Sequence, residues 1–270
     1  MKKCDLHIHS EYSDSDSKIE DIFKLAKEND ISCVAITDHD TIDGLGEAKK
    51  FSEIFNIELI NGIEISAQKQ NIEVHILGYF IDAESPKLKN ALSNIKDLRK
   101  ERLIMMVEKL NSLGLKIDKE EVALKLYDKI PTRLHLALFL MEKGFVKNIK
   151  EAFLKYLSYG RPAYVARFKY SPKEAISLIK ECGGLAILAH PHLLPDQSLI
   201  EECILYGLDG LEVVYPNSGK NQVIYENIVD KFSLLKSGGS DHHGSYKDFT
   251  KIGEVFIPYE WVEKMKKRYG

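Results

Sequence analysis

Histidine and acidic residues recur in this chain at the ends of apolar segments, and this recurrence restricts the fold more than any other feature. In DLHIHS, His7 and His9 are two residues apart and therefore share one face of a predicted strand. Similar clusters follow in CVAITDHD, ELINGIEIS, NIEVHILGYF, GGLAILAHPH and SLLKSGGSDHHG. Because the carboxyl ends of parallel strands converge on one rim of a β/α barrel, these distant residues are predicted to meet there.

Imidazole and carboxylate groups in such numbers indicate a site for divalent transition-metal ions. A single H-x-H pair also occurs on solvated edge strands, but its repetition with other clusters argues against coincidence. Mixed imidazole and carboxylate ligands suit manganese, iron or zinc better than calcium. The sequence therefore predicts a hydrolase with several metal ions.

Composition and charge argue against several other classes of protein. The chain is 44% hydrophobic, enough for a substantial core, and its formal net charge is -3 with a pI near 6.3. Without a basic excess, tight binding to long nucleic acid is not expected, although a small anionic substrate needs only local positive charge. Neither a signal-peptide pattern nor a long apolar segment is found, so we expect a cytoplasmic protein with no membrane partner. The four scattered cysteines are interpreted as reduced packing residues.

The predicted elements divide the chain into a discontinuous barrel domain, residues 1–85 and 159–270, and a helical insertion, residues 86–158. Strands and helices alternate on both sides of the insertion, as in a β/α barrel. Within the insertion, helical periodicity predicts one long amphipathic helix followed by shorter ones. In the first barrel helix, Ile19 to Glu28, Ser17 and Glu20 form a capping-box signature.

Taken in order along nearly the whole chain, these motifs resemble those of the polymerase and histidinol phosphatase (PHP) family of phosphoesterases. The matching elements are DLHIHS with Asp14 following, ITDHD, GIEIS, EVHILGY, LAHP and SDHH. GRPAYV from Gly160, together with the helical insertion, is more similar to the branch that acts on small molecules and nucleotides than to the histidinol phosphatases.

The resemblance implies a distorted (β/α)7 barrel with two or three divalent ions. Manganese is the expected metal, and zinc, iron and magnesium are the alternatives. Other branches of the family carry histidine at the position of Asp14. The metal preference of this site is therefore left open. The implied ligands are, for the first ion, His7, His9, Glu64 and Asp241; for the second, Glu64, His75 and His190; and for the third, Asp14, His39 and His243.

Elementary electrostatics agrees with a shared carboxylate, because neighbouring divalent ions repel strongly unless carboxylates neutralise them. Clustered ions lower the pKa of a shared water and polarise phosphoryl oxygens. We therefore predict hydrolysis of a phosphate monoester by a metal-bridged hydroxide, without a covalent enzyme intermediate, and with Glu64, His190 and Asp241 as catalytic residues. His192 and His242 are interpreted either as a ligand-orienting donor or leaving-group acid, or as structural residues. Asp38 and Asp40 are interpreted either as carboxylates that orient a ligand or as caps of the following helix.

Phosphate binding also needs positive charge from the protein itself. Guanidinium groups match phosphate oxygens in a bidentate fork, so the candidates are basic residues in and just after the insertion, which we expect to close over substrate. For each of them a solvated surface position is the alternative. The candidates are Arg133, His135, Arg161 and Lys169.

Several functions are compatible with this reading. The favoured one is a phosphatase acting on AMP or a nucleoside 3',5'-bisphosphate, an assignment that rests on the resemblance. The second is 5'-3' exonuclease action on short RNA, and the third is histidinol phosphate hydrolysis, which the insertion disfavours. A metal-binding regulatory or scaffold domain requires missing ligands, whereas all nine implied positions carry competent side chains.

Overall fold

The computed structural model describes residues 2–126, 130–166, 170–216, 219, 221–246 and 250–270. The chain forms two compact units, one made of Met1–Asn90 with Lys169–Gly270 and the other of Ala91–Phe168. The corresponding boundaries predicted from the sequence lie after residues 85 and 158. Each unit is described by itself below.

The first unit contains one eight-stranded sheet. Its strands are β1 Lys3–Ile8, β2 Ile31–Ile36, β3 Glu58–Lys69, β4 Ile72–Tyr79, β5 Leu185–Leu188, β6 Gly210–Val214, β7 Leu235–Gly238 and β8 Ile257–Pro258. Their order in the sheet is β7-β6-β5-β4-β3-β2-β1-β8. The segment after β7 returns to β1, where the Asp241 N–H donates to the His7 carbonyl at 2.8 Å. The sheet is thereby nearly closed, which confirms the predicted distorted barrel, and the two-residue β8, antiparallel to β1, is an eighth strand beside the seven expected.

The distortion comes from β4. β1, β2 and β3 are mutually parallel, as are β5, β6 and β7, but β4 is antiparallel to both of its neighbours. Only Gln70 and Asn71 separate β3 from β4. A two-residue connection joins only antiparallel strands, because a parallel pair needs a crossover of a dozen or more residues.

Helices cover the outside of the barrel and form the second unit. In α1, the side chains of Ile19, Ile22, Phe23 and Ala26 are buried at helical spacing. The helices are α1 Ile19–Glu28, α2 Leu45–Phe55, α3 Pro86–Ser112, α4 Lys119–Lys125, α5 Arg133–Glu142, α6 Ile149–Ala152, α7 Pro172–Glu181, α8 Ser198–Leu205, α9 Asn221–Phe232 and α10 Tyr259–Tyr269.

The inside of the barrel is apolar at one level and polar at another. Ile60 on β3 and Leu77 on β4 belong to a buried apolar cluster. Glu64 lies four residues after Ile60, so the alternation of side chains along a strand places it on the same face. The face that carries the core therefore also carries acidic and imidazole groups nearer the rim.

The second unit has a core of its own. Leu103, Val107 and Leu110 on α3 pack with Leu136 and Leu140 on α5 in one buried cluster. Within it, Arg99 and Arg102 are also buried and donate to the carbonyls of Pro131 at 3.1 Å and Val165 at 2.7 Å. Across the described part of the chain, no helix is both long and apolar enough to cross a membrane.

Candidate active site

The predicted ligands gather at the rim where the parallel barrel strands end. His9 directly follows β1, His39 follows β2 and His190 follows β5, as the sequence predicts. Asp241 and His243 follow β7. Parallel strands bring their carboxyl ends to one edge, so these residues become neighbours despite separations of more than two hundred positions in the sequence.

Two residues reach the rim differently from the prediction. Glu64 is in the middle of the twelve-residue β3, which extends beyond the end of β2, and an isolated bridge pairs it with His39. His75 is the fourth residue of β4, not a residue at its carboxyl end. Because β4 is antiparallel, its first half lies beside the second half of β3, with His75 opposite Ser66. The prediction that both residues stand at carboxyl ends of strands was therefore wrong, although they lie at the same rim.

The first group of side chains is buried in the barrel. His7 Nε2 and His9 Nε2 are 3.1 Å apart. Asp241 Oδ1 lies 3.4 Å from the former and 3.2 Å from the latter. Glu64 Oε2 lies at 3.6 and 3.2 Å from the same two nitrogens. The four side chains therefore contribute four potential ligand atoms that surround a space about the size of one atom.

Glu64 connects this group to a second one. Its Oε1 is 3.0 Å from His75 Nδ1 and 3.2 Å from His190 Nε2, whereas its Oε2 faces His7, His9 and also His39 Nδ1 at 2.9 Å. The two oxygens of one carboxylate therefore address different sets of imidazoles. This is the arrangement that a bridging ligand requires.

Asp14 is the centre of the third group. Its Oδ1 lies 3.3 Å from His243 Nε2 and 3.7 Å from His9 Nδ1, and its Oδ2 lies 3.7 Å from His39 Nε2. His39 consequently stands between Glu64 and Asp14, and belongs geometrically to the second and third groups alike.

The residues present fit divalent metal ions. Buried polar atoms normally have hydrogen-bond partners. Among the described residues, however, four potential ligand atoms in these groups are buried and make no hydrogen bond of normal geometry, although oppositely charged groups lie close to them. Imidazole nitrogens mixed with carboxylate oxygens form a donor set suited to manganese, iron or zinc. The atoms concerned are His9 Nδ1, His39 Nδ1, Glu64 Oε2 and His75 Nε2.

The charges of the groups are strongly coupled. Burial alone would raise the pKa of Glu64, but the imidazoles of His39, His75 and His7 lower it well below its usual value. For His75, burial opposes protonation, yet the charge of Glu64 raises the pKa to about 9. Burial lowers the pKa of His39 to about 4, which keeps this imidazole neutral and able to bind a cation.

Glu212 is a site residue that the sequence analysis missed. It lies in the middle of β6, where its Oε1 is 2.9 Å from His7 Nδ1 and its Oε2 accepts the His190 N–H at 2.7 Å. An acidic residue inside the apolar segment GLEVV was the available signal. Unlike Asp14 and Asp241, which follow strands, Glu212 lies within a strand, as Glu64 also does.

Asp38 and Asp40 organise loops around the groups. The Ser10 N–H and the Ser10 and Ser13 hydroxyls donate to Asp38 at 2.7, 2.6 and 2.5 Å. Asp40 Oδ1 accepts the Ser66 N–H at 2.8 Å. Neither carboxylate caps α2, which has Gly44 at its N-cap without a side-chain bond.

The remaining polar residues also have partners. The Tyr215 hydroxyl donates to Asp241 Oδ2 at 2.6 Å, and the His192 ring packs on Tyr215 at a centroid distance of 4.5 Å. His242 Nε2 is 2.9 Å from Ser17 Oγ, and its Nδ1 is 3.2 Å from the Thr250 carbonyl. Both His242 nitrogens are therefore engaged in structural contacts, which favours the structural interpretation of this residue.

The predicted phosphate-binding residues belong to the second unit, except for Lys169, which lies outside the described residues. The Arg133 guanidinium is 5.8 Å from the Phe153 ring centre and 5.9 Å from that of Tyr164. His135 Nδ1 accepts the Thr132 N–H at 3.1 Å as part of a capping box at the start of α5. Arg161 is exposed, and its backbone N–H donates to Ser158.

A nearly closed α/β barrel with buried imidazole and carboxylate groups at the strand ends defines a class, the metal-dependent hydrolases built on such barrels. Within this class, the PHP domain family model matches residues 5–182. The chain belongs to the PHP family.

Three known proteins show the extent of the similarity. The 5'-3' exoribonuclease of Haemophilus influenzae is 34% identical, and the match covers 90% of each chain. The 3',5'-nucleoside bisphosphate phosphatase of Chromobacterium violaceum is 32% identical, with 94% of this chain and 92% of the relative covered. A solved structure from Bifidobacterium adolescentis, assigned as a metal-dependent phosphoesterase, has a TM-score of 0.89 and 29% identity, and the match covers 98% of this chain and 96% of that one.

Proposed function

We propose that this protein is a metal-dependent phosphatase that hydrolyses the phosphate monoester of a small nucleotide, either AMP or a nucleoside 3',5'-bisphosphate. The observation that carries the proposal is the position of Glu64, whose two buried oxygens face separate sets of imidazoles. The similarity to the bisphosphate phosphatase over more than 90% of both chains supports the substrate class.

The proposed ligands are the nine residues named from the sequence, and manganese is the proposed metal. When bound, such ions polarise the phosphoryl oxygens and lower the pKa of water. Glu64 and Asp241 place negative charge between the histidines and hold the ligand groups together. His7 and His9, both fully buried, keep bulk water away from the inner side of the cluster.

The substrate contacts are a proposal based on side-chain chemistry. Arg133 and Arg161 present guanidinium groups that match phosphate oxygens, and Lys169 adds a further cation. His135 Nδ1 is used in the helix cap, so any contact of this residue with substrate would use Nε2.

Exoribonuclease action on short RNA is the second candidate. The specific observation in its favour is the 34% identity with the Haemophilus exoribonuclease over 90% of both chains. The same ligand set serves a phosphodiester as well as a monoester, because the reacting centre is a phosphoryl group in both cases.

The test is a screen of manganese-loaded protein against AMP, a nucleoside 3',5'-bisphosphate, histidinol phosphate and a short 5'-phosphorylated RNA. We expect release of inorganic phosphate from one of the two nucleotides, with the highest kcat/KM of the panel. The same assay on chelator-treated protein provides the metal-free control.

Each other outcome decides between the candidates. Release of mononucleotides from RNA at a higher kcat/KM would establish the exoribonuclease instead. Turnover of histidinol phosphate alone would contradict the assignment to the nucleotide branch. A folded, metal-loaded protein that hydrolyses none of the four would contradict the phosphatase proposal.

A further inference from the structure

Glu212 contacts two proposed ligands at once. Its side chain is fully buried in the barrel, and its two oxygens are used separately. Oε1 is 2.9 Å from His7 Nδ1, and Oε2 accepts the backbone N–H of His190 at 2.7 Å. His7 belongs to the first proposed ion and His190 to the second.

The contact with His7 selects one form of its ring. His7 Nε2 faces Asp241 Oδ1 at 3.4 Å and Glu64 Oε2 at 3.6 Å, so this is the nitrogen directed at the cluster. A neutral imidazole that binds a cation through Nε2 carries its hydrogen on Nδ1. That hydrogen points to Glu212 Oε1, and a carboxylate in this position fixes both the tautomer and the ring orientation.

The contact with His190 holds an unusual backbone conformation. His190 has φ of 29° and ψ of 59°, in the left-handed region that residues with a Cβ rarely adopt. Such conformations cost energy and persist only where the surroundings hold them. Glu212 accepts the N–H of this residue, whose Nε2 lies 3.2 Å from Glu64 Oε1.

We propose that Glu212 is a positioning residue that orients His7 and His190 together and so couples cation binding at the first and second sites. The proposal rests on the ligand assignment of the proposed function. Both neighbours of Glu212 are N–H donors, so the position requires two acceptors. A carboxylate supplies both, whereas an amide supplies one acceptor and one donor.

Glu212→Gln is therefore the informative substitution, because it preserves size and leaves one of the two N–H groups opposite another donor. In this variant we expect the affinity for Zn²⁺, measured by chelator competition, to be about 10–100-fold lower than in the wild-type protein. The matched control is Asp209→Asn, which changes another buried acid, the residue directly before β6. Asp209 accepts the Ala186 N–H at 2.9 Å and pairs with Lys180 at 2.9 Å, and neither of these partners is a proposed ligand. Asp209→Asn is expected to leave Zn²⁺ affinity unchanged.

A second measurement needs no variant. Nitrogen-15 NMR of the histidines in the Zn²⁺-loaded original protein is expected to show His7 bound through Nε2, with a slowly exchanging Nδ1–H. Zinc binding through His7 Nδ1 would overturn the proposal even if Glu212→Gln failed to fold. Unchanged Zn²⁺ affinity in folded Glu212→Gln would overturn it too, while the ligand assignment would survive. An original protein that binds no Zn²⁺, Mn²⁺ or Fe²⁺ would instead overturn the ligand assignment itself.

Discussion

Glu64 is the side chain on which the candidate active site depends most. It is buried, and five imidazoles lie within 2.9 to 3.6 Å of its two oxygens. They come from β1 and β4 and from the segments that follow β1, β2 and β5. A buried carboxylate is costly unless opposite charges and hydrogen bonds compensate it. The histidines supply this compensation in the metal-free protein, and the metal ions would supply it in the loaded protein.

Glu64→Gln is expected to abolish phosphoesterase turnover with little change in fold. The amide keeps the shape of the side chain but removes the negative charge that the proposed ions share. Loss of this charge is expected to raise the free energy of the transition state by several kcal/mol, and therefore to lower kcat/KM roughly 1000-fold. Steady-state phosphate release from metal-loaded protein measures this. Glu53→Gln on the exposed side of α2 is the control. Full activity of Glu64→Gln would remove this residue from the catalytic machinery.

Cys203 on α8 is expected to resist alkylation in the folded protein. Burial raises the pKa of its thiol to about 12, and only the thiolate reacts. At pH 8.5, iodoacetamide should therefore modify Cys203 slowly in the native state and rapidly in urea, where the thiol regains an ordinary pKa near 8.5. The modified fraction is measured by peptide mass spectrometry. Equal rates in both conditions would contradict the burial on which this prediction depends.

The closure of the barrel depends on how closely the segment after β7 approaches β1. Gly239 lies in this segment, and a Cβ added to it would be 2.4 Å from the His7 N atom and 2.6 Å from the His7 Cβ. Only glycine permits this approach, because the atoms that a larger residue would meet include backbone. The approach in turn lets Asp241 bond to the His7 carbonyl, so one glycine helps to align two proposed ligands.

Gly239→Ala is expected to destabilise the protein by roughly 1–3 kcal/mol or more, since overpacking against backbone is relieved only by moving β1. Urea denaturation followed by circular dichroism measures the change. Gly46→Ala in α2 is the matched control, because no atom lies within 4 Å of the added Cβ there. The control is expected to be neutral or stabilising by up to about 1 kcal/mol. Equal stabilities of the two variants would show that Gly239 does not limit barrel closure.

The first helix shows which features of a helix can be predicted from local sequence and which cannot. α1 has the bounds that the sequence predicts, Ile19–Glu28. The predicted capping box of Ser17 and Glu20 was wrong. Lys18 is the N-cap of α1, without a side-chain bond, and the Ser17 hydroxyl bonds to His242 instead. A tertiary partner from the segment after β7, distant in sequence but adjacent to the end of β1, thus replaces a local one.

The molecule as a whole carries an unusual concentration of buried ionisable groups at one rim of the barrel. The described residues of that rim include six histidines and three carboxylates within a few ångströms of one another, and the carboxylates are those of Asp14, Glu64 and Asp241. In the unfolded chain these groups are far apart, so ions bind the folded state preferentially. Binding of this kind adds directly to the free energy of unfolding.

Removal of metal ions is therefore expected to lower the thermal stability of the whole protein. At free Mn²⁺ about 100-fold above Kd, one site adds about 2.7 kcal/mol, which corresponds to a rise in Tm of roughly 5–10 °C for a chain of this size. Differential scanning calorimetry with Mn²⁺ and with a chelator measures the difference. In Glu64→Gln, the difference in Tm between the two conditions should be smaller. Identical Tm values for the original protein in both conditions would contradict metal binding at this rim.

Local patterns in the sequence determined most elements, the barrel class and the residues that could bind metal. Strand and helix periodicity are properties of ten or so consecutive residues, and His7, His9, His39 and His190 could be recognised because polar groups end apolar segments. Only the tertiary structure decided the direction of β4, the position of His75 within it, and the pairing of Glu212 with His7. Those features depend on which strands become neighbours, and a contact between residues 7 and 212 leaves no periodic trace in either segment.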